Sequence, residues 1–213
     1  MAWDFKNELG RKFVHFMSLF VLLVYFLAVD IFNPDIALVL LVFVLTIFLE
    51  LEYIRLELGA KIPVVRTVWD KVRRDEEKDE IGSEIFFLVG SILVLAVFDT
   101  RVAVAAILMT TFGDLTAALI GKRFGEHYLS YPEDKAWEGI IAQFLVDMAI
   151  GSAVFILSVG PFFYTTAYWI IVPVMALTAT VVETFAGKMD DNLLIPVFSG
   201  LNGQIILMIM MFL

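Results

Sequence analysis

The sequence predicts an all-α, polytopic integral membrane protein. Of its 213 residues, 61% are apolar and 20 are phenylalanine, a larger share than a soluble domain of this length buries in one core. Apolar stretches about as long as one bilayer crossing, roughly 20 residues, recur about seven times along the chain. We therefore predict a single transmembrane domain over residues 1–213. The predicted crossings are 13–32, 36–54, 85–98, 102–120, 137–157, 167–186 and 193–213.

Composition excludes several other classes of protein. The formal net charge is −9, and this acidic balance argues against nucleic acid as a partner. The chain has no cysteine, so it can form neither a disulfide nor a thiolate metal site, and two histidines alone argue against a zinc site. Basic residues precede the first apolar stretch, but no small-residue cleavage site follows it. We predict that this stretch is retained as a membrane span.

The lysine and arginine residues predict the orientation of the chain. All of them except Arg101 fall on one side of the predicted crossings, and the positive-inside rule makes that side cytoplasmic. The long loops 55–84 and 121–136 are then cytoplasmic, in the plasma membrane or the endoplasmic reticulum. Within the first loop, apolar residues at helical spacing in segment 63–78 predict an amphipathic helix in the headgroup region. A solvated linker helix is the alternative.

Several acidic residues lie inside or at the ends of predicted crossings on this cytoplasmic side, and three of them could converge at one depth. These three are Asp114, Glu183 and Asp191, and Asn192 follows the last of them. A carboxylate inside the bilayer costs about 2.5 to 3.5 kcal/mol, so each is a functional candidate. If the three converge at one depth, they offer the hard oxygen ligands that Mg²⁺ prefers. Their mutual repulsion also requires a cation or a lysine nearby, so we predict a magnesium site.

The basic loop between the fourth and fifth predicted crossings has the composition of a phosphate-binding loop. Glycines allow backbone amides to approach phosphate oxygens, and the crossing that begins at Trp137 offers helix amides with a positive dipole end. The loop lacks the spacing and the Ser/Thr of a Walker sequence. Anchoring by the positive-inside rule is the alternative interpretation of its basic residues. The glycines and basic residues concerned are Gly121, Lys122, Arg123, Gly125, Lys135 and Gly139.

The sequence leaves two alternative roles open for each of two further polar residues, Asp147 and His15. Asp147 lies about ten residues into its predicted crossing, near the bilayer midplane. It is expected to form a buried hydrogen bond to a neighbouring helix or to line a polar pocket for water or a lipid headgroup. His15 lies about one turn after Arg11 and Lys12, where it is expected either to contact a phosphate or a lipid hydroxyl or to be structural.

The ordered set of motifs resembles the dolichol kinase and phytol kinase group, membrane enzymes that phosphorylate a lipid alcohol with CTP. The chain departs from the group at Ala136, where a serine usually follows the loop lysine. Phosphatidate cytidylyltransferases share the Lys135 to Gly139 pattern, but the segment ETFAGKMDDNLLIP lacks their basic, glycine- and histidine-rich signature. The matching residues are Gly10-Arg11-Lys12 with His15, Glu52 with Arg55, Gly113-Asp114 with Ala117-Ala118, Gly121 to Gly125, Lys135 with Glu138-Gly139, Glu183, and Asp191-Asn192 with Pro196.

This resemblance implies a lipid kinase that uses CTP and Mg²⁺ to phosphorylate a polyprenol or related lipid alcohol. Asp114, Glu183 and Asp191 are expected to hold the metal, and Asp114 or Glu183 to accept the proton of the hydroxyl group. Arg11, Lys12 and His15 are expected to contact lipid or phosphate. The residues expected to contact the nucleotide are Gly121, Lys122, Arg123, Gly125, Lys135, Glu138, Gly139 and Asn192.

Two other functions stay open at this point. A CDP-lipid synthase would use the same acidic and basic elements for cytidylyl transfer. A small ion-coupled transporter would line a pathway with Asp114, Asp147 and Glu183, although most of the acidic residues lie on one side. The sequence also leaves a homo-oligomer open.

Overall fold

The computed structural model describes residues 19–57, 81–158, 166–186 and 189–212, and it is all-helical, as predicted. The helices in these ranges are α1 (Leu19–Ile31), α2 (Pro34–Glu57), α3 (Ser83–Val97), α4 (Thr100–Phe124), α5 (Trp137–Ser158), α6 (Thr166–Phe185) and α7 (Asp191–Met211). Five of them, α2 and α4 to α7, are long and apolar enough to cross a membrane, whereas α1 and α3 are shorter. Seven crossings therefore stay a prediction, and the predicted amphipathic helix at 63–78 lies outside the described residues.

The chain divides into two compact units, and the boundary, between Ile92 and Leu93, falls within α3. In the first unit, Glu52 near the end of α2 is buried. Its carboxylate accepts hydrogen bonds from the Arg55 guanidinium at 2.7 and 2.9 Å and from the backbone N–H of Gly82 at 2.9 Å. The pair named in the resemblance, Glu52 and Arg55, thus joins the end of α2 to the residue before α3.

The second unit contains a bundle of α4, α5, α6 and α7 in which consecutive helices are antiparallel. Near the α4–α5 connection, a Cβ on Gly139 of α5 would lie 3.0 Å from the Cα of Gly121 on α4. Further along, a Cβ on Gly151 of α5 would lie 2.7 Å from the side chain of Met109 on α4. Small residues at helix interfaces allow this close approach in membrane bundles. Antiparallel packing places the α4–α5 and α6–α7 connections at the same end.

The opposite end of the bundle is held by a second set of contacts. Asp99 caps the start of α4 by accepting a hydrogen bond from the Arg101 backbone N–H, and it also pairs with the Arg101 side chain at 2.7 Å. The Asp99 backbone N–H donates to Gln204 of α7 at 2.8 Å. Between the two ends lies an apolar core that includes Val102, Met109, Val172, Met175 and Ile195.

Helix α4 is longer than the predicted crossing. It runs through Phe124, so Gly121, Lys122 and Arg123 form its last turn, and the connection comprises residues 125–136. Cations in a last helical turn interact favourably with the negative end of the helix dipole. The polar sequence GKR therefore continues the helix beyond the apolar stretch.

Candidate functional site

The three acidic residues predicted to bind a metal come together at one end of the bundle. Asp114, Glu183 and Asp191, here called the acidic cluster, each offer one carboxylate oxygen, and these oxygens all lie within 4.8 Å of one another. Asp114 and Glu183 are buried, with 8% and 4% of their surface exposed, and Asp191 is partly buried. The predicted convergence of three separate helices is therefore present in the structure.

The helix directions explain this meeting. Asp114 precedes the end of α4 by ten residues, Glu183 lies near the end of α6, and Asp191 is the first residue of α7. Because α4 and α6 run in the same direction and α7 returns antiparallel, the three positions share one level.

A lysine approaches the cluster from the α4–α5 connection. The Lys135 ammonium group donates a hydrogen bond to Glu183 Oε1 at 2.6 Å, and 28% of the lysine side chain is exposed. Burial of the ammonium group acts to lower the pKa of Lys135, but the charge and hydrogen bond of Glu183 and the charges of Asp114 and Asp191 outweigh it. The pKa of Lys135 is therefore raised, and the lysine is held in its charged form.

Asn192 fixes the orientation of the carboxylate that precedes it. Its side-chain amide donates hydrogen bonds of 3.0 Å to Asp191 Oδ1 and to Asp190 Oδ1. Asp190 also caps α7 by accepting a hydrogen bond from the Asn192 backbone N–H at 2.9 Å. Asn192 is thus hydrogen-bonded to the two residues before it, one of which belongs to the acidic cluster, and its contact with a nucleotide stays a prediction.

The donor set of the acidic cluster fits a magnesium ion. Oxygen ligands at about 2.0 to 2.1 Å in an octahedron lie about 3 to 4 Å apart, so a spread of 4.8 Å closes with movements of about an ångström. Three carboxylates and one ammonium group leave a charge of −2 if all are ionised, which one divalent cation balances. Three protein ligands leave the remaining octahedral positions to water and phosphate oxygens.

Gly125 and Gly139, at the two ends of the connection, both have close backbone neighbours. The Gly125 backbone N–H donates to Gly121 O and the Gly139 N–H donates to Ala136 O. A Cβ on Gly139 would lie 2.7 Å from Ala117 O. The contact of these glycines with a phosphate stays a prediction. The predicted contacts of Lys135, Lys122 and Arg123 stay predictions as well, and the side chains of Lys122 and Arg123 are exposed.

The connection that carries Lys135 folds back on itself as a short hairpin. Tyr128 and Ala136 form an isolated antiparallel bridge, the Leu129 N–H donates to Lys135 O at 2.9 Å, and the Trp137 N–H donates to His127 O at 2.9 Å. These bonds hold Lys135 next to the start of α5.

A histidine and a glutamate close this hairpin. His127 Nδ1 lies 2.7 Å from Glu138 Oε1, and the His127 backbone N–H also donates to the Glu138 carboxylate. The pKa of His127 is raised, first by its hydrogen bond to Glu138 and then by the charges of Glu138 and Glu126. Sequence reasoning gave Glu138 a nucleotide contact and His127 no role, because residues eleven positions apart in a loop show no periodicity that would pair them.

A second polar group lies deeper in the bundle. Gln143 and Asp147 on α5 have none of their surface exposed. The Gln143 side chain approaches the Asp147 carboxyl group, and among the described residues neither side chain has a hydrogen-bond partner elsewhere. The Asp147 carboxylate lies over Gly113 of α4, where a Cβ would be 2.5 Å from Asp147 Oδ1. Sequence reasoning singled out Asp147 and missed Gln143, although the spacing of four residues places both on one helix face.

The remaining predicted contacts, Arg11, Lys12 and His15, lie outside the described residues.

Curated relatives agree with the resemblance inferred from the motifs. The chain is 28% identical over 133 residues to CTP-dependent diacylglycerol kinase 1 of Schizosaccharomyces pombe, which covers 60% of this chain and 61% of that protein. It is 24% identical over 157 residues to probable phytol kinase 1, chloroplastic, of Oryza sativa subsp. japonica, covering 70% and 50%. It is 35% identical over 104 residues to the phytol kinase of a Synechocystis species, covering 46% and 42%. The predicted similarity to CTP-dependent lipid kinases is therefore confirmed.

These matches are partial. The chain spans 61%, 50% and 42% of the length of the three relatives. No family model matches the chain, and no solved structure gives a significant match. The apolar helices and these relatives together identify an integral membrane protein.

Proposed function

We propose that this chain is a membrane lipid kinase that transfers the γ-phosphate of CTP to the hydroxyl group of a lipid alcohol, with Mg²⁺ as cofactor. The acidic cluster with Lys135 carries this proposal, because three carboxylates and a lysine at one end of an apolar bundle suit a shared cation and polyphosphate. The relatives supply the chemistry: one is named a CTP-dependent diacylglycerol kinase and others phytol kinases. Besides diacylglycerol and phytol, a dolichol-like polyprenol is a third possible acceptor, and it is implied by the motif resemblance.

In this proposal the protein positions groups and stabilises charge. Asp114, Glu183 and Asp191 would hold Mg²⁺, which supplies charge neutralisation at the phosphate oxygens when bound. Lys135, Lys122 and Arg123 neutralise the rest of the triphosphate. Phosphoryl transfer depends mainly on such in-line positioning and electrostatic stabilisation.

The transfer step forms one bond at the γ-phosphorus and breaks another. The lipid oxygen bonds to the γ-phosphorus, the bond from that phosphorus to the bridging oxygen breaks, and CDP leaves. The hydroxyl proton passes to a carboxylate, for which the sequence leaves Asp114 and Glu183.

The site is proposed to face the cytoplasm. Lys122, Arg123 and Lys135 all lie at the bundle end that carries the acidic cluster, and basic residues concentrate on the cytoplasmic side of membrane proteins. CTP is available there.

Labelled CTP tests this function. The purified protein is incubated with Mg²⁺, with phytol, dolichol or a diacylglycerol, and with CTP labelled in either the α- or the γ-phosphate. Label from the γ-position is expected in the lipid. Lipid labelled only from the α-position would instead identify a CDP-lipid synthase, and no labelled lipid with any acceptor would overturn the kinase proposal.

Two variants connect that activity to the site. Asp114→Asn is expected to abolish transfer while the protein stays folded. Asp134→Asn is the control, because Asp134 is an exposed acid in the same connection as Lys135 and is not part of the acidic cluster.

A further inference from the structure

We infer that Gln143 and Asp147 form a binding site within the bilayer for the hydroxyl group of the lipid acceptor. This inference rests on the proposed function and adds to it the place where the acceptor is recognised.

The first observation is a pair of buried polar side chains that face only each other. Both residues have 0% of their surface exposed. The Gln143 side chain approaches the Asp147 carboxyl group, but neither has a hydrogen-bond partner on any other described residue. A buried polar group whose hydrogen bonds are incomplete destabilises the fold. Since the two residues lie one turn apart on α5 and share a face, one small polar ligand can contact both.

The second observation is the depth of the pair. The Asp147 carboxylate lies over Gly113, and Asp114 of the acidic cluster is the next residue of α4. Gly113 has no side chain, so α4 leaves space for the carboxylate at this level. A ligand held by Asp147 would therefore lie at the same depth as Asp114. That depth is further inside the bundle than Lys135, which lies in the α4–α5 connection.

The third observation is the difference between this carboxylate and those of the acidic cluster. The group of acids able to share a metal among the described residues is Asp114, Glu183 and Asp191, and it does not include Asp147. A neutral hydrogen-bonding ligand fits better than a second cation, because only one carboxylate is available. The Asp147 carboxylate can accept a hydrogen bond and the Gln143 amide can donate one. A hydroxyl group can form both bonds, since it donates to the carboxylate and accepts from the amide.

A lipid alcohol can reach this level from the bilayer. Ile141 and Leu145 lie on the outer face of the same helix and are 55% and 60% exposed, so α5 borders lipid on the side away from Gln143. Because both side chains are fully buried, we expect the acceptor to separate α4 and α5 locally when it enters.

Matched pairs of ligands test this site. Phytol and dioctanoylglycerol are each compared with their methyl ethers, which keep the chain and lose the hydroxyl hydrogen, by measuring thermal stabilisation of the detergent-solubilised protein. Wild type is expected to bind each alcohol about 10-fold more tightly than its ether. In the double variant Q143L/D147L, the preference is expected to fall below about 2-fold. Replacing both polar partners by apolar groups of similar size is close to neutral for folding, so this variant should remain folded.

Thr110→Val is the matched control. Thr110 is also fully buried on α4, but its hydroxyl already bonds to Ala106 O of its own helix at 2.8 Å. This variant is expected to retain the preference for the alcohol.

The outcomes separate this inference from the proposed function. Binding is measured without CTP, so a failed kinase assay does not affect it. Equal binding of alcohol and ether by wild type, or an unchanged preference in the double variant, would overturn the hydroxyl site even if kinase activity is found. A double variant that loses only stability would assign the pair to buried water and would also overturn it.

Discussion

Lys135 Nζ and Glu183 Oε1 lie 2.6 Å apart, although 48 residues separate them in the sequence. This ion pair joins the α4–α5 connection to the end of α6 and brings a positive charge to a cluster of three acids. The lysine compensates part of the carboxylate repulsion, and it marks the position where phosphate oxygens would meet both a cation and an ammonium group.

Lysine 135 provides the first prediction. Lys135→Met should lower the rate of phosphoryl transfer by about 100-fold or more, since a donor aimed at developing charge contributes on that scale. Lys135→Arg keeps the charge and should retain part of the activity. Initial rates with γ-labelled CTP measure both variants. Equal loss in the two would show that the lysine acts through its shape and not its charge.

Asn192 provides the second prediction. Asn192→Ala removes both hydrogen bonds to Asp190 and Asp191, so the apparent affinity for Mg²⁺ should fall about 10-fold, as for other residues that orient a metal ligand. The KM for CTP at saturating Mg²⁺ should change little.

The control for Asn192 is Asn202→Ala. Asn202 bonds to Thr178 Oγ1 at 3.0 Å, in the middle of α6 and α7. If Asn192→Ala changes the KM for CTP more than the Mg²⁺ requirement, the result would contradict this role and would indicate that Asn192 contacts the nucleotide.

The packing of α4 on α5 provides the third prediction. Gly139→Ala places a methyl group 2.7 Å from Ala117 O and 3.0 Å from the Cα of Gly121, both of which are backbone atoms. Overpacking of this kind costs about 1 to 3 kcal/mol, so the Tm in detergent should fall by several degrees. Gly121→Ala meets its nearest atom at 3.6 Å and should keep the wild-type Tm. Equal Tm values for the two variants would contradict this packing.

His127 provides a prediction about pH. Its pKa is raised in the folded protein by Glu138, so the protonated pair stabilises the hairpin fully below the unfolded pKa of about 6.5. This stabilisation is lost as the pH rises through the folded pKa. Hydrogen exchange of residues 125–136 should therefore become faster, relative to unfolded peptide, as the pH rises above about 6.5.

His127→Gln tests the origin of that pH dependence. The variant cannot be protonated at this position, so the relative exchange rate of the hairpin should stay constant over the same pH range. A wild-type pH dependence in the variant would assign the effect to another group.

The sequence predicted the acidic cluster because of where its members interrupt apolar stretches. Asp114 and Glu183 lie near the C-terminal ends of predicted crossings, and Asp191 lies just before the start of the last crossing. Because successive crossings alternate in direction, all three positions fall on one side of the bilayer. The same topology predicted that Lys135 lies on the side of the bilayer that carries the acidic cluster. The identity of its partner, Glu183, could not be predicted, because that contact depends on how α5 and α6 pack.

The glycines permit close backbone approach, as the sequence indicated. The nearest atoms are those of Gly121 and Ala136 for Gly125 and those of Ala117 and Gly121 for Gly139, and their contact with a phosphate stays a prediction. The absence of a side chain permits both close backbone packing and contact with a phosphate, and the sequence alone does not distinguish these two roles. Gln143 was missed because an uncharged amide in an apolar stretch stands out less than a carboxylate.

The account depends most on one cation shared by Asp114, Glu183 and Asp191. Mn²⁺, which takes similar oxygen ligands and is detected by electron paramagnetic resonance, can be titrated into the purified protein and into Asp114→Asn, Glu183→Gln and Asp191→Asn. We expect one ion to bind per wild-type chain and its affinity to fall at least about 10-fold in each variant. Wild-type affinity in any one of the three variants, or no binding by wild type in the presence of CTP, would contradict the shared site.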